Sequence, residues 1–529
     1  MQVTSQTFKS NASVALRDAA LQRALKNLKA GFPGKRAAAI AKLPEFDQLR
    51  DAGRDLKNHV LEHLDFYLER FEAKVIEQGG QVHWARDAAE ARQIVLDICR
   101  SVAARRVTKG KSMISEEIGL NEFLEAHGIQ PVETDLGEYI IQLRHEHPSH
   151  IIAPAIHLNR DQVADAFHAY HGPYGFTERN EEPRALMNEA RQVLRQQFLS
   201  ADVGITGANF CIAETGTTVI VTNEGNGDLT QILPRVHIAL ASIEKMVPTL
   251  EDVSTLTRLL TRSATGQEIT VYTTFSSGPR RPDDLDGPEQ FHVVLLDNGR
   301  SGMLGGEFQD MLRCIRCSAC MNHCPVYGAI GGHAYGWVYP GPMGSVLTPQ
   351  LVGIDAAGQL PNASTFCGRC EEVCPMHIPL PKMMRHWRER EFERHLSPTG
   401  VRFGLGAWAF FAKRPKLYRV AAGFGAWLLR RLGGRKGHIK NLPFAGGWTA
   451  WRDLPVPQGR TFQQQWAARQ GARSTAPSPA TVCSAGSPSA PATSRPRPRS
   501  SPRPISSSPC PAASPRSPSP SPGAACTTT

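Results

Sequence analysis

The chain has 529 residues, 41% of them hydrophobic, enough for three or four domains with real cores, so global disorder is excluded. Sixty basic residues against 49 acidic ones give +11, but six of those positive charges lie after Gly471, where no acid occurs. The rest is only mildly basic, so charge does not point to nucleic acid, and no apolar run reaches the roughly 18 residues of a membrane-spanning helix.

The N-terminus (MQVTSQTFKSNASVALRDAALQ) lacks the apolar stretch of a secretory signal, and a cytoplasmic protein is expected. Residues 1–50 are expected to form one helix and an irregular basic stretch. Leu21, Leu25 and Leu28 share a helical face, with Gly31, Pro33 and Gly34 as its stop. Leu56, Val60, Leu64, Leu68, Phe71 and Val75 then recur at helical spacing as far as Gly79-Gly80. Within a domain expected over 51–299, short apolar runs alternate with helical patterns from Gln81 to about Gly299. The strand candidates are Gln81–Trp84, Ile129–Glu133, Ile151–Ala153, Val203–Thr206, Thr217–Val221, Ile269–Thr273 and Phe291–Leu296. Helices are expected over Asp87–Ala104, Ser115–His127, Asp161–Ala169, Arg184–Ser200 and Leu250–Arg262. Such alternation predicts an α/β domain with a largely parallel sheet covered on both faces.

Residues 300–396 carry the cysteine motifs, with helices expected over Gly305–Arg313 and Leu380–His395. The aromatic, basic region 397–469 does not span a membrane, because Lys413, Arg414 and Lys416 break its apolar runs. It is suited to lie on a membrane surface or a partner, or to pack on its own parent domain. From about 470 to 529 Ser, Pro, Ala, Thr and Arg dominate without one Asp, Glu or Lys, and this tail is expected to be disordered. Its abrupt onset resembles a GC-rich gene read out of frame.

Twelve cysteines in a cytoplasmic chain of this size point to metal ligands rather than disulfides, and seven of them fall between Cys314 and Cys374. Cys314, Cys317, Cys320 and Cys324-Pro325 have the spacing of bacterial ferredoxins that hold cubane iron–sulfur clusters. In that pattern three thiolates wrap one cluster and the fourth serves the other. Cys367, Cys370 and Cys374-Pro375 form the second motif. Exchange of the last ligand then gives Cys314, Cys317, Cys320 and Cys374 to one [4Fe-4S] cluster, and Cys324, Cys367 and Cys370 to the other. An eighth cysteine would stand at Ser364. The second cluster is therefore completed by Ser364 or another oxygen or nitrogen ligand, completed by an external ligand, or contains three irons. Zinc also takes Cys-x2-Cys, but typically as two separated pairs, whereas here three or four thiols crowd each segment. The isolated Cys99 and Cys211 read as small core residues.

Other signals are weaker. Gly110-Lys111-Ser112 looks like the end of a phosphate-binding loop, but Arg105 stands where its first glycine belongs. Six of 18 histidines fall between His145 and His171, without the paired spacing and acid of a helical metal site. Between Gly204 and Asp228, glycines surround Glu214, Thr217 and Thr218, which fits either an anion site or a tight strand-turn-strand.

Long stretches resemble the lactate utilization protein B family of iron–sulfur proteins: KSMISEEIGLNEFLEAHGI, HPSHIIAPAIHLNR, GITGANFCIAETGTTVIVTNEGN, MLRCIRCSACMNHCPVYGAIGGHAYGWVYPGPMG and ASTFCGRCEEVCP. The resemblance covers about residues 50 to 466 and includes the family's seven-cysteine pattern. It implies an α/β lactate-utilization domain similar in fold to sugar-phosphate isomerases (NagB/RpiA) and coenzyme A transferases. A mainly helical ferredoxin domain with two [4Fe-4S] clusters would follow. It further implies an electron-transfer subunit of a complex oxidising L-lactate to pyruvate, with a cysteine-rich A-type and a C-type subunit as partners. A respiratory acceptor is expected, either at the membrane periphery or quinone-linked, with the chain itself cytoplasmic or peripheral to the inner membrane. The alternatives are an enzyme acting on a small anionic substrate around Glu214, and an iron–sulfur redox sensor.

Overall fold

The computed structural model describes residues 3–442, 446–449 and 452–474; beyond its first five residues the low-complexity tail lies outside the described residues. The chain divides into two compact units, 1–408 and 409 onward.

In the first unit ten strands follow in order: β1 Gln81–Ala85, β2 Arg106–Gly110, β3 Gln130–Glu133, β4 Val203–Gly207, β5 Phe210–Ile212, β6 Thr217–Thr222, β7 Val236–Ser242, β8 Met246–Val247, β9 Tyr272–Ser276 and β10 Gln290–Leu296. Six form an all-parallel sheet in the order β1-β10-β7-β4-β2-β3, as expected from the alternating pattern. The other four form a small mixed sheet, β8-β5-β6-β9.

Strand periodicity of two explains how the main sheet is covered twice. On β7 and β10, Val236, Ile238, Leu240, Val294 and Leu296 pack with Val95, Leu96 and Leu124 on one face. Ala239, Ala241, Phe291, Val293 and Leu295 pack with Val60, Leu64, Phe71 and Val75 on the other. A third core joins the small sheet to the cysteine-bearing segment: Phe210, Ile212, Val219, Leu256 and Leu259 touch a cluster that includes Met311, Ile315, Trp337 and Met384. The two parts therefore share apolar interior.

Several expected elements differ. Ile151–Ala153 is not a strand; the Ile152 and Ala153 N–H groups donate to His150 Nδ1 (3.1 Å each) and hold a loop. β2 and β7 were not among the strand candidates. The expected strand at Ile269–Thr273 begins later, at Tyr272. Gly119, in the left-handed region (φ 63°), splits the helix expected over Ser115–His127 into Met113–Glu117 and Leu120–Ala126. His63 likewise separates Phe46–Glu62 from Leu64–Glu77. The first long helix runs Ala19–Ala41 straight past Pro33, held on both sides of the proline by buried Leu25, Leu28 and Ala39.

The cysteine-bearing part is built from short helices, including Ala319–Asn322, Gly341–Val352, Arg369–Glu372 and Leu380–Glu393; the expected helix at Gly305–Arg313 is a 3-10 turn, Gln309–Arg313. The N-terminal residues belong to it. Thr4 N donates to Gly336 O (2.8 Å), and a Cβ on Gly336 (φ 73°) would lie 2.6 Å from the Thr4 carbonyl carbon. Arg36 Nη2 donates to Val373 O (2.8 Å) and Arg50 Nη2 to Cys374 O (2.8 Å).

The second unit, which begins within the helix Thr399–Ala412, holds the helix Pro415–Gly433, a two-stranded ribbon (His438–Ile439 with Leu454–Pro455) and the helix Phe462–Ser474. Among the described residues no helix is long and apolar enough to cross a membrane.

Candidate functional site

The first cysteine motif coils because its backbone leaves the ordinary regions twice: Arg316 (φ 59°) and Ser318 (φ 55°) are left-handed, which turns successive N–H groups inward. The Arg316 N–H donates to Cys314 Sγ (3.4 Å) and the Tyr327 N–H to Cys324 Sγ (3.5 Å). Gly368 (φ 79°) provides the matching bend in the second motif, before Cys370.

The seven thiols fall into two groups. Cys314, Cys317, Cys320 and Cys374 line one cavity of ≈ 400 Å³, together with Ile315, Met343 and Ile378. Cys374 acts electrostatically on the Cys317 and Cys320 thiols, and Cys324 and Cys367 act on Cys370, which also reaches Cys320 where the groups adjoin. The residue last in sequence thus sits with the first motif, and Cys324 sits with the second. Cys367 is the exposed member of the seven; Cys317, Cys324, Cys370 and Cys374 are buried. Ser364 keeps its hydroxyl oxygen for its own loop, accepting from the Phe366 N–H (3.1 Å).

The donor set fits a large inorganic group. Burial pushes the Cys370 thiol up to about 12 and Cys374 up to about 11, and raises Cys317 and Cys320 as well. Such thiols are inert on their own and become thiolates only against bound cationic metal. Among the described residues no three His, Cys, Asp or Glu side chains close up on a single ion; the sulfurs stand around a cavity wall.

Cys99 and Cys211 are fully buried among apolar side chains, as read from the sequence. The clustered histidines serve separate hydrogen bonds: His157 with Glu146 (2.7 Å), His171 with Glu189 (2.8 Å), His150 with Asn322 (2.9 Å). Lys111 is taken by Asp135 and by Glu224 (2.9 Å), so it is not a free phosphate ligand. Glu214 is exposed and lines neither cavity described here. The turn beside it is a tight structural one, because a Cβ on Gly216 (φ 68°) would meet the Val75 nitrogen at 2.4 Å.

Sequence reasoning missed a second, open cavity of ≈ 1760 Å³ at the carboxyl ends of β2, β4 and β7. Its wall includes Lys111, Asn209, Glu224, Ser242, Lys245 and Arg316. Arg316 also lines the thiol cavity, so the two spaces share this residue. Behind them lies a buried charge network. Arg300, 0% exposed, holds Glu117 with two nitrogens (2.9 and 2.6 Å) and approaches Glu244 (3.3 Å), which Arg316 also approaches (3.3 Å). Tyr339 Oη donates to Glu117 (2.6 Å).

Comparison with known proteins agrees with this architecture. The LUD domain model matches residues 68–296, and the 4Fe-4S dicluster domain model matches residues 310–378. The fold and the thiol groups define a LUD-domain iron–sulfur protein that carries two [4Fe-4S] clusters. Lactate utilization protein B of Macrococcus caseolyticus is 42% identical over 88% of this chain and 97% of its own length. The protein of the same name from Bacillus subtilis is 39% identical over 90% and 99%, and the uncharacterized electron transport protein YkgF of Escherichia coli is 40% identical over 87% and 96%. The chain belongs to the lactate utilization protein B family. A crystal structure of a DUF162 family protein from Deinococcus radiodurans is 17% identical, covering 44% of this chain and 98% of that one with a TM-score of 0.23.

Proposed function

We propose that this chain is the electron-transfer subunit of a complex that oxidises L-lactate to pyruvate, working with A-type and C-type lactate utilization partners. The observation that carries this reading is the pairing of thiols from distant motifs into two adjoining groups. Cys314, Cys317, Cys320 and Cys374 would hold one cluster; Cys324, Cys367 and Cys370 would hold the other, with Ser364 or an external ligand completing it. Bound clusters supply one-electron relay, at potentials set by hydrogen bonds to sulfur and by burial. The chain contributes the N–H donors to Cys314 and Cys324 and the buried wall around the first group. The parallel sheet is compatible with the isomerase and transferase likeness, and the acceptor we favour is a respiratory quinone.

Anaerobic purification should give about eight irons per chain, reducible while lactate and the partner subunits are present. Because the second group has three cysteines and an exposed Cys367, mild oxidation should remove one iron and produce a three-iron EPR signal. A colourless preparation containing zinc would overturn the reading, and eight irons retained under oxidant would overturn the open position.

The helix Pro415–Gly433 supports a peripheral seat on an anionic membrane. Leu417, Val420, Phe424 and Trp427 recur on one face and are exposed, Val420 by 72%. From Ala409 to Arg452 the sequence has ten Lys and Arg and no acid. Phosphatidylglycerol vesicles should float the protein at low salt, and phosphatidylcholine vesicles should not. Equal recovery with both lipids would remove the anionic membrane from this reading.

A further inference from the structure

The second cavity lies where a parallel sheet is most open. The chain leaves β2 toward β3 on one side, while from β4 it proceeds to β7 on the other. Between such strands the connections part and leave a crevice beyond the carboxyl ends, where ligands of α/β proteins bind. Here the crevice is bounded by Lys111-Ser112 after β2 and by Gly207–Asn209 at the end of β4. Gly207 makes the close approach possible, since a Cβ there would lie 2.4 Å from Lys111 O.

One cation in the wall makes no hydrogen bond or ion pair among the described residues. This is Lys245, which follows β7 and is 8% exposed. Burying an ammonium without a hydrogen-bonded partner is costly, and the attraction of the nearby Glu244 carboxylate, itself bridged by Arg300 and Arg316, offsets only part of it. Every other cation of the wall is engaged: Lys111 by Asp135 and Glu224, Arg316 by Glu244. We propose that this cavity binds a small organic monocarboxylate, with the carboxylate held by Lys245 beside Arg316, against the group of thiols that includes Cys314.

The charge class follows from the wall. One uncommitted cation suits one negative charge, while Asp135 and Glu224 on the same wall, sharing the single cation of Lys111, disfavour a dianion such as phosphate. Ile114, Leu136 and Ile152 provide apolar surface for the body of the ligand, and Asn209 and Ser242 provide neutral polar groups for a second oxygen. The Arg316 N–H on Cys314 Sγ places the ligand's neighbour in contact with a sulfur of the first group.

The inference rests on the electron-transfer reading only in the choice of a 2-oxo acid as probe. Sodium pyruvate is titrated calorimetrically into the anaerobically purified full-length holoprotein, with iron content and the EPR spectrum of the reduced clusters recorded in parallel. Saturable binding at one site is expected, with a shift in one of the two cluster signals and no displacement by equimolar inorganic phosphate. Lys245→Met should weaken binding at least tenfold at unchanged iron content, and should raise the urea midpoint because an unpaired buried charge is gone. Ile152→Trp, which narrows the mouth without touching charge, should weaken it as well. No binding to a protein with full iron content, binding unaltered in Lys245→Met, or equal competition by phosphate overturns the proposal. A low iron count instead counts against the electron-transfer reading, which separates the two failures.

Discussion

Replacing Cys374 by alanine should remove the cluster of the first motif, not that of its own. Its neighbours in sequence are Cys367 and Cys370, and sequence distance alone would group those three. In space Cys374 lines the cavity of Cys314, Cys317 and Cys320, and Arg50 and Arg36, from the N-terminal helices, hold the carbonyls around it. Iron should fall from about eight to about four per chain, and the EPR signal lost should be the one lost in Cys317→Ala. Cys370→Ala should delete the other signal. A Cys374→Ala spectrum matching that of Cys370→Ala would sink the exchanged assignment.

A second large effect is expected at Arg300→Met. Against the cost of burial, Arg300 and the hydrogen bonds of Tyr339 and Asn298 keep the Glu117 carboxyl below its ordinary range. Burial is likewise outweighed at Glu244, where Arg300 and Arg316 hold the carboxyl at about 2. Removing the guanidinium leaves the buried Glu117 carboxylate without a charged partner and takes one of two guanidiniums from Glu244, a loss of about 3–5 kcal/mol. Equilibrium unfolding in urea measures it. In the wild type these depressed carboxyls contribute stability that is present above their unfolded pKa, about 4.3, and is lost as pH falls toward 2. In the variant Glu117, left without its charged partner, is raised instead, so protonation relieves the loss. The gap between the two proteins should therefore shrink from pH 7 toward pH 5. A constant gap would mean that Arg300 acts by packing. Adding Glu117→Gln to the variant should recover part of the loss, since it removes the uncompensated charge.

The cysteine spacing was legible because a cluster needs sulfur at fixed intervals, and no other residue substitutes cheaply. The parallel sheet was legible in Phe291–Leu296 and Val203–Thr206, whose apolar runs are buried on both faces. β2 was not, because RVTKG reads as a polar loop. Lys109 is buried there only by virtue of Glu116 (2.7 Å) and Glu133 (2.5 Å), partners from other elements. β7 was hidden by His237, whose ring bonds Thr206 Oγ1 (2.9 Å) on the neighbouring strand. The parting of the connections depends on β2 and β7, so Lys245 and its cavity are not legible in the sequence, whereas the glycines around Glu214 are. Polar residues buried in pairs are invisible to a reading that takes one segment at a time.

The N-terminal arm carries a consequence for biogenesis. Thr4, Arg36 and Arg50 grip atoms of Gly336, Val373 and Cys374, which leave the ribosome more than three hundred residues later. Until then these three contacts cannot form, although Glu45 already has a partner in Arg258 (2.7 Å) on an earlier helix. Once the arm docks, Cys317 and Cys374 are enclosed. A chain whose arm docks before its clusters are in place would close over empty thiols.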